Sequence, residues 1–488
     1  MISPKKIAVH ASWGGRWSAC FAAAALTASL VAACEGASTS ELTSGVWRGE
    51  QGPWTVVVEF AAHEGALAGV AHILEGGRHW TEATITDVVL APPRLAWHLS
   101  WGPSLQQDFE GRVDLAGGTI KGEVSSPSGP VAPMRFERTA PGAVPGLLTR
   151  ASPAEYSWAR PAEVGDGWNT ATPEEVGVER SAMEALIRAV IRGEAGNIHS
   201  LLIAKGGALV AEEYFHGWTR DELHSIASCT KSVVSLLVGR ALEQGHLESL
   251  QTPVIELVPD LAEGAGRGWE SVRLEHLLTM TAGLGRPESA AVETPGRELY
   301  LALLHRPVEA TPGTRWEYAN ADVDLLGPVL RKATGVDPDE YAATVLFTPL
   351  GIEAWQWPKR EGSLPSLAAG LKLRPRDMAR IGALVAGRGQ WQGRRILQAS
   401  WIEQSTRVHV SPPDQFEQYG YLWWSPVPPE APEAERFVYA KGVGSQFIFV
   451  APGHDLVITA TGGNHANDKL MAIAELVGRF LLDARGHS

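Results

Sequence analysis

The stretch that decides the fold is Ser228-Cys229-Thr230-Lys231, followed by the apolar run SVVSLLV at residues 232–238. The run predicts a helix, in which residues three positions apart lie on one face. Lys231 would therefore lie beside Ser228, with the positive end of the helix dipole beneath the serine. This pattern indicates a nucleophilic serine whose base is a lysine rather than a histidine.

The tetrad is not specific by itself, since Ser3-Pro4-Lys5-Lys6 repeats it near the N-terminus. A lysine base must be partly neutral, so burial or a nearby cation must lower its pKa from about 10.4. A tyrosine could act as a second group that both gives and takes a proton. Of the eight tyrosines, only Tyr318 lies in a Tyr-x-Asn sequence, Tyr318-Ala319-Asn320, after the turn Pro312-Gly313-Thr314.

Composition narrows the class of protein. The chain has 488 residues, 44% of them hydrophobic, which predicts roughly two or three domains with a large core. The formal net charge of −13 and the absence of a basic run argue against a nucleic-acid partner. Cys20, Cys34 and Cys229 are the three cysteines and form no disulfide framework. No metal-binding motif is present, so we expect neither a catalytic metal nor another cofactor.

The N-terminus has the features of an export signal. The first 33 residues contain Lys5, Lys6 and Arg16 but no acid, and residues 21–33 form an apolar core that ends in small residues. The sequence Val-Ala-Ala-Cys that ends at Cys34 resembles a bacterial lipobox, which predicts a lipid on Cys34. The alternative is an ordinary cleaved signal peptide. We therefore expect an exported protein of the bacterial cell envelope, lipid-anchored at a membrane and facing the periplasm or the exterior, with inner and outer membranes both open.

The region after the leader predicts a separate β domain. We assign residues 1–33 to the signal peptide, 34–45 to a tether and 46–140 to an all-β accessory domain. Short alternating segments at about ten-residue spacing predict a small barrel or sandwich of about six to eight strands. Among the strand candidates are residues 54–60, 94–99 and 109–115. No nucleophile–base pair stands out there, so a spacer or binding module is the expected role.

The remainder predicts an α+β domain. A Pro- and Gly-rich linker spans residues 141–167 and the second domain spans 168–488. Its antiparallel sheet would be flanked by helices and interrupted by an all-helical subdomain. Predicted strands and helices are a helix over 181–192 with Ser181 as N-cap, a hairpin of 200–205 and 208–215 joined by Gly206-Gly207, helical stretches around 274–280, 299–304, 322–333 and 377–386, strands over 447–450 and 456–461, and a final helix over 470–482.

Over about residues 155–485 the chain resembles the serine β-lactamase and penicillin-binding-protein superfamily, in the class C-related branch that includes esterases, D-amino-acid peptidases and 6-aminohexanoate-dimer hydrolases. The motifs that carry the resemblance are Ser228-Cys229-Thr230-Lys231, Leu274-Glu275-His276-Leu277-Leu278-Thr279-Met280-Thr281-Ala282-Gly283-Leu284, Pro312-Gly313-Thr314, Tyr318-Ala319-Asn320, Leu346-Phe347-Thr348-Pro349-Leu350-Gly351-Ile352 and Lys441-Gly442-Val443-Gly444-Ser445-Gln446. The resemblance implies that Ser228 is acylated, with Lys231 as its base and Tyr318 as the second proton carrier. It also implies that Asn320 hydrogen-bonds near the substrate carbonyl.

The third motif of that superfamily, Lys-Thr-Gly or His-Thr-Gly, aligns with Ala440-Lys441-Gly442. This register implies an oxyanion hole formed by the N–H groups of Ser228 and Val443, beside Gly442. A register shifted by two residues would use Ser445 instead. Ala440 departs from the pattern, because a Lys or His there usually faces the carboxylate of a β-lactam or peptide.

These observations favour a serine hydrolase that acts on an ester or amide bond of a small substrate, with no protein partner indicated. One alternative is a β-lactamase or D,D-peptidase that acts on β-lactams or cell-wall peptides. Another is a lipid-anchored binding or scaffold protein with a vestigial hydrolase domain. Cys229, His224 and His276 are interpreted as structural residues, and Trp423-Trp424 as packed aromatics with a substrate platform as the alternative.

Overall fold

The computed structural model describes residues 39–483, except residues 40, 44, 64–65, 101–105, 128, 141–143, 145–152, 285–295, 413–416, 427–436 and 466–468. Cys34 and its predicted lipidation therefore lie outside the described residues, as does the predicted signal peptide. Among the helices that are described, none is long and apolar enough to cross a membrane.

The first part of the chain is a closed antiparallel barrel of eight strands. Each strand pairs with the next, and β1 pairs with β8 to close the sheet. The strands are β1 Val46–Gln51, β2 Trp54–His63, β3 Ala66–Glu75, β4 Arg78–Ala91, β5 Arg94–Ser100, β6 Gln106–Asp114, β7 Thr119–Ser126 and β8 Gly129–Thr139. The barrel confirms the predicted all-β domain and decides between barrel and sandwich, because a closed sheet leaves no exposed edge.

Apolar side chains fill part of the barrel interior. Alternate residues point inward, and Ile85, Leu95, Phe109 and Ile120 are almost completely buried there. Leu42, which the sequence assigned to the tether over residues 34–45, is also fully buried in this core, and its carbonyl accepts a hydrogen bond from Trp47 Nε1 at 3.0 Å. The end of the predicted tether is therefore part of the barrel, since an apolar side chain gains more by entering that core than by staying in water.

The second part of the chain is built on an eight-stranded sheet with the order β17-β18-β19-β20-β21-β10-β11-β9. All pairs in it are antiparallel except β9 with β11. The strands of this sheet are β9 Asn169–Thr170, β10 Ile198–Lys205, β11 Ala208–Tyr214, β17 Gln418–Tyr419, β18 Trp424–Ser425, β19 Val438–Gly442, β20 Gln446–Ala451 and β21 Leu456–Gly462. Short strands elsewhere are β12 His224–Ser225, β13 Trp355–Gln356, β14 Lys372–Leu373, β15 Gln390–Trp391 and β16 Arg394–Arg395.

Helices cover this sheet and fill the segment between β11 and β17, as an α+β fold requires. They are α1 Arg180–Ile191, α2 Cys229–Glu243, α3 Val254–Leu257, α4 Pro259–Ala262, α5 Leu274–Leu278, α6 Arg297–Leu304, α7 Asn320–Asp324, α8 Leu326–Thr334, α9 Pro338–Ala342, α10 Thr348–Leu350, α11 Pro375–Ala386, α12 Ala399–Thr406 and α13 Ala472–Asp483. A π-helical turn, Ala343–Phe347, separates α9 from α10. The predicted α+β class and the predicted hairpin of β10 and β11 are confirmed.

Two local predictions need correction. The N-cap of α1 is Glu179 rather than Ser181, because the Glu179 carboxylate accepts the N–H of Ala182. The second half of the predicted linker over residues 141–167 is part of the second domain. Tyr156 is buried there, and Trp158 Nε1 donates to a β11 carbonyl at 2.8 Å. The Pro and Gly content of this stretch suggested a linker. Its aromatic side chains were the sign that it packs against the second domain.

The barrel docks on the second domain through the beginning of β4. The His79 N–H donates to the carbonyl of His216 at 3.0 Å, and Trp218 Nε1 donates to the carbonyl of His79 at 2.7 Å. Thr81 Oγ1 donates to the carbonyl of Gly463, just after β21, at 2.9 Å. Main-chain atoms take part in all three bonds, so the two parts of the chain meet in a defined orientation.

Candidate active site

Ser228 stands at the N-cap of α2, directly after a strained turn. Ala227 has a left-handed backbone with φ of 45°, which is uncommon for a residue with a Cβ. The turn is held by Thr230 Oγ1, which donates to the carbonyl of Ala227 at 2.6 Å. The predicted helix over the apolar run is confirmed as α2, and almost every residue in its first half is buried. Ser228 itself is half-buried, so its hydroxyl is presented at the surface of a rigid core.

Lys231 lies one turn into α2 and is 2% exposed. Its Nζ is 2.9 Å from Ser228 Oγ and donates to the carbonyl of Ala368 at 2.6 Å. Burial lowers the pKa of Lys231 to about 7, although the negative charge of Asp324 opposes the shift. At neutral pH a large fraction of the lysine is therefore the free amine, which is the form that can accept a proton.

The loop that carries Ala368 is held by Asp324, at the end of α7. Asp324 Oδ1 accepts hydrogen bonds from the N–H groups of Leu367 and Ala368, at 2.9 and 3.1 Å, and from Ser366 Oγ at 3.0 Å. These bonds orient the Ala368 carbonyl toward the lysine. Sequence reasoning missed both Asp324 and Ala368. They follow Ser228 by 96 and 140 positions, and nothing in the sequence indicates that they will lie beside Lys231.

Tyr318 completes a cluster with Ser228 and Lys231. Its phenol is hydrogen-bonded to Ser228, yet burial outweighs that bond and raises the pKa of Tyr318 to about 12. Lys231 Nζ lies 5.0 Å from the centroid of the tyrosine ring. The ring also stacks on Trp424, with 5.8 Å between centroids. Tyr318 is therefore a fixed, protonated phenol beside the serine.

The turn after β19 lies against the serine from the other side. A Cβ on Gly442 would stand 2.6 Å from the carbonyl of Ile226 and 3.0 Å from Ser228 N, so only glycine fits there. The next residue, Val443, is 52% exposed. Ser445, the alternative in the shifted register, is fully buried and donates to the carbonyl of Leu470 at 2.9 Å. The strand therefore approaches Ser228 at Gly442, the residue before Val443, whereas Ser445 is occupied in the core.

Comparison with known proteins agrees with this geometry. A family profile described as Beta-lactamase matches residues 187–474, more than half of the chain. The chain belongs to the beta-lactamase family. The matched segment contains Ser228, Lys231, Tyr318 and the turn at Gly442, and it excludes the barrel.

Curated relatives in this family include hydrolases of different bonds. The 6-aminohexanoate-dimer hydrolase of Paenarthrobacter ureafaciens is 24% identical over 42% of this chain and 56% of its own length. Esterase EstB of Burkholderia gladioli is 30% identical over 31% of this chain and 43% of its own length. The chain spans about half the length of the curated relatives it matches. These relatives support the prediction of a serine hydrolase family with esterases and amidases.

A solved structure supports the fold. The beta-lactamase-like protein of Bacteroides dorei DSM 17855 matches with a TM-score of 0.54 and 17% identity, over 62% of this chain and 99% of that chain. At this level of identity the likeness concerns the fold alone. It agrees with the α+β architecture predicted from the order of helical and strand patterns.

The segment predicted to be the third motif, Ala440-Lys441-Gly442, offers no free cation. Ala440 is fully buried and carries no charge. Lys441 Nζ forms an ion pair with Glu417 at 2.5 Å and lies 3.9 Å from the centroid of the Trp424 ring. The only cation of the Ala-Lys-Gly sequence is thus already neutralised by a carboxylate and held on an aromatic face.

Two further candidate residues have side chains outside the Ser228–Lys231–Tyr318 cluster. Asn320 is exposed at the first residue of α7, and among the described residues we find no hydrogen bond from it to Ser228 or Lys231. Its predicted hydrogen bond near a substrate carbonyl stays a prediction. Cys229 is fully buried, its Sγ contacts the carbonyl of Gln446 at 3.3 Å, and burial raises the pKa of its thiol. Cys229 therefore lies in the core as expected.

The histidines and the tryptophan pair lie in structural positions. His224 is buried and its ring contacts His199 at 2.8 Å. His276 Nδ1 accepts the N–H of Arg273 at the start of α5. Trp423 and Trp424 are both buried, which agrees with the packed-aromatic interpretation, although Trp424 also supports Tyr318 as described above.

One group of side chains in the described residues could hold a metal ion. Donor atoms of His72, His79 and Glu82, on β3 and β4, all lie within 4.8 Å of one another. His72 is also 3.8 Å from Glu59. Burial alone would lower the pKa of His72, but its hydrogen bonds with Glu59 and Glu82 raise that pKa to about 9. The imidazolium is therefore itself the cation that these two carboxylates bind.

Proposed function

We propose that this protein is a serine hydrolase that cleaves an ester or amide bond of a small substrate through an acyl-enzyme on Ser228. The observation that carries the proposal is the 2.9 Å separation of Lys231 Nζ and Ser228 Oγ, in surroundings where burial lowers the lysine pKa to about 7. Family membership supports the class of reaction, and the roles of individual residues follow from their chemistry.

In the acylation step, the free amine of Lys231 takes the proton of Ser228 as Oγ bonds to the substrate carbonyl carbon. The amine keeps an N–H for the carbonyl of Ala368, so its lone pair is directed at the serine. The carbonyl oxygen becomes an oxyanion, for which the N–H groups of Ser228 and Val443 are suitable donors. Such preformed donors commonly provide the largest single contribution to catalysis of acyl transfer.

In the next step, the bond to the leaving group breaks and that group takes a proton from Tyr318. A pKa of about 12 keeps this phenol protonated at neutral pH. The proton on Lys231 then replaces the one that Tyr318 gave up. Water hydrolyses the ester on Ser228 with Lys231 again as base, which regenerates the enzyme.

The third motif supports esters and amides over β-lactams and cell-wall peptides. A substrate carboxylate would need a free cation beside the serine, whereas Ala440 is apolar and Lys441 is paired with Glu417. Displacing an existing ion pair to bind another carboxylate gains little, because one desolvated pair replaces another. A neutral substrate does not require that exchange.

The test compares Ser228→Ala with Ser235→Ala, a buried serine on the same helix. Ser228→Ala should lower hydrolysis of p-nitrophenyl butyrate by more than about 10³-fold and abolish labelling by a fluorophosphonate. Ser235→Ala should keep both. Full hydrolysis by Ser228→Ala would overturn the proposal. Rapid turnover of nitrocefin by the wild type would instead assign a β-lactamase, and an absence of labelling would assign a scaffold protein.

We further propose that the mature protein is lipid-anchored through Cys34 in the bacterial cell envelope, facing the periplasm or the exterior. The support is the Val-Ala-Ala-Cys sequence after an apolar segment of export-signal length. Cys34→Ser should move the expressed protein from the detergent phase to the aqueous phase in a partitioning experiment, and Cys229→Ser should not. Equal partitioning of Cys34→Ser and wild type would contradict the anchor.

A further inference from the structure

The barrel contains a cavity. Its volume is about 530 Å³, and its lining includes residues of several barrel strands. This volume lies within the 300–1,000 Å³ range of pockets that bind small molecules. Eight-stranded barrels are wide enough either to fill with side chains or to enclose one small ligand, and this barrel leaves space for a ligand.

The wall of the cavity is apolar. Val56, Val58, Ala71, Ile73 and Leu99 are among the residues that form it, and the described lining contains no Asp, Glu, Lys or Arg. Charged ligands would lose their hydration without a partner in such a space. An empty apolar cavity lowers stability in proportion to its volume, and an apolar occupant removes that cost. The chemistry of the wall therefore selects a neutral, largely hydrocarbon group.

One part of the cavity wall is aromatic. Trp97, which is 3% exposed, stacks on Phe109 with 3.8 Å between ring centroids. Its indole nitrogen is inaccessible to water and therefore does not face the cavity. Trp97 and Phe136 thus offer apolar ring surface to a ligand.

The mouth of the cavity is formed by the hydrolase domain. Val443 and His465 contribute to the lining, and His465 stacks on Trp80 of the barrel with 5.4 Å between ring centroids. Val443 directly follows Gly442. A Cβ built on Gly442 would lie 3.0 Å from the backbone nitrogen of Ser228. The chain therefore passes from the mouth of the cavity to the backbone of the candidate nucleophile in two residues.

We propose that the barrel cavity binds the apolar chain of the substrate, so that this enzyme prefers esters or amides with a medium-length hydrocarbon group over short ones. Binding of an apolar chain in the barrel rests on the cavity alone. The preference for medium-length substrates rests in addition on the proposed function of Ser228. The hydrocarbon group enters past Val443 while the scissile carbonyl stays at Ser228. The barrel is then the specificity element of the enzyme, rather than a spacer.

A chain-length series tests the link to catalysis. For the wild type, kcat/KM on p-nitrophenyl esters should rise from acetate to octanoate by about fourfold per methylene, as expected for burial of each group. Ala71→Phe fills the cavity and should flatten the series. Val89→Phe, on the exposed outer face of the same barrel, should keep the wild-type series. Val124→Phe, also in the lining, replaces Ala71→Phe if the latter fails to fold.

A binding experiment tests the cavity without catalysis. Full-length Ser228→Ala protein should bind the neutral fluorophore N-phenyl-1-naphthylamine, and 1-octanol should displace it. Adding Ala71→Phe should abolish binding, and adding Val89→Phe should not. A rise in kcat/KM with chain length that persists in both Ala71→Phe and Val124→Phe would overturn the proposal. Fluorophore binding that is unchanged in these two variants would also overturn it. Cavity-dependent binding in a protein that hydrolyses no ester would contradict the function of Ser228 and still support the apolar ligand of the barrel.

Discussion

Two buried basic side chains of this protein behave in opposite ways. Lys231, 2% exposed, has hydroxyl and carbonyl partners, and burial lowers its pKa to about 7. His72, whose side chain is 13% exposed, lies 3.4 Å from Glu82 and 3.8 Å from Glu59. Although burial acts against it, contact with these carboxylates raises its pKa to about 9. Burial alone therefore does not determine whether a basic side chain is charged. The charge of the groups that contact it decides the outcome.

The largest effect is expected when the base beside Ser228 is made permanently charged, because it then resembles His72 rather than the free amine of Lys231. Lys231→Arg keeps a cation that does not lose its proton at accessible pH. Serine activation should then fall by about 10²–10⁴-fold, the usual contribution of a general base. The rate of fluorophosphonate labelling at Ser228 measures it.

The matched control for that substitution is Lys205→Arg, at an exposed lysine on β10 that donates to the carbonyl of Gly177. It should label at the wild-type rate. If Lys231→Arg labelled as fast as this control, Lys231 would not be the base.

The pH dependence of turnover sharpens the same point. Because Lys231 acts as the free amine, kcat/KM should rise tenfold per unit below pH 7 and level off above it. Asp324→Asn removes the negative charge that opposes the lowered pKa, so the rising limb should move to lower pH by about one unit. Steady-state kinetics from pH 5 to 9 measure it.

Asp260→Asn serves as the control, since Asp260 is an exposed partner of Lys332 far along the chain from the loop at Ala368. Its profile should overlay the wild type. A rising limb that stays in place in Asp324→Asn would show that the limb reports a group other than Lys231.

Removing one of the two carboxylates should lower the pKa of His72 toward that of Lys231. Glu82→Gln removes one of the two charges that raise the His72 pKa, which should fall from about 9 by about one unit. Titration of the imidazole signal by NMR measures this. Glu110→Gln, at an exposed carboxylate of β6, should leave it unchanged, and the same result for Glu82→Gln would contradict the pairing.

The same histidine affects stability with a defined sign. Its folded pKa is above the unfolded value of about 6.5, so its contribution is complete below pH 6.5 and is lost as pH rises to about 9. That loss amounts to at most about 1.4 kcal/mol per pH unit. Urea unfolding of Glu82→Gln should show a smaller decline over this interval than wild type, and an equal decline would argue against His72 as its source.

The smallest effect concerns Cys229, a buried group beside Lys231 with no charged partner in contact. Burial raises its thiol pKa, so the thiolate is scarce and iodoacetamide should modify this position only in unfolded protein. Mass spectrometry of the peptide that contains Cys229 measures it. Modification of the folded protein would show that burial does not suppress the thiolate of Cys229.

The sequence predicted the parts of the fold that depend on local patterns. Two-residue alternation identified the β domain, and Gly206-Gly207 predicted the hairpin of β10 and β11. The Ser-x-x-Lys spacing predicted the contact between Ser228 and Lys231, because both lie on one turn of a helix. The Tyr-x-Asn sequence identified Tyr318 as their neighbour through the family resemblance.

Long-range partners could not be predicted in the same way. Asp324 and the Ala368 carbonyl reach Lys231 through a loop whose path depends on tertiary packing. The docking of β4 on the hydrolase domain likewise uses main-chain atoms, which carry no residue-specific signal. Leu42 was assigned to a tether because its neighbours are small and polar, whereas a single buried leucine is enough to attach that segment to the core.

The attachment of β4 through its backbone has an evolutionary consequence. The His79 N–H bonds a carbonyl, and the His79 carbonyl in turn accepts the indole N–H of Trp218. These two bonds use the peptide group of His79, so they do not depend on which side chains line the barrel. Under the role proposed for the barrel, residues such as Ala71 and Ile73 could be exchanged, with a change in substrate preference, without breaking these bonds. On the same proposal, the barrel and the second domain can adapt under separate selective pressures, one for what is recognised and one for how it is cut.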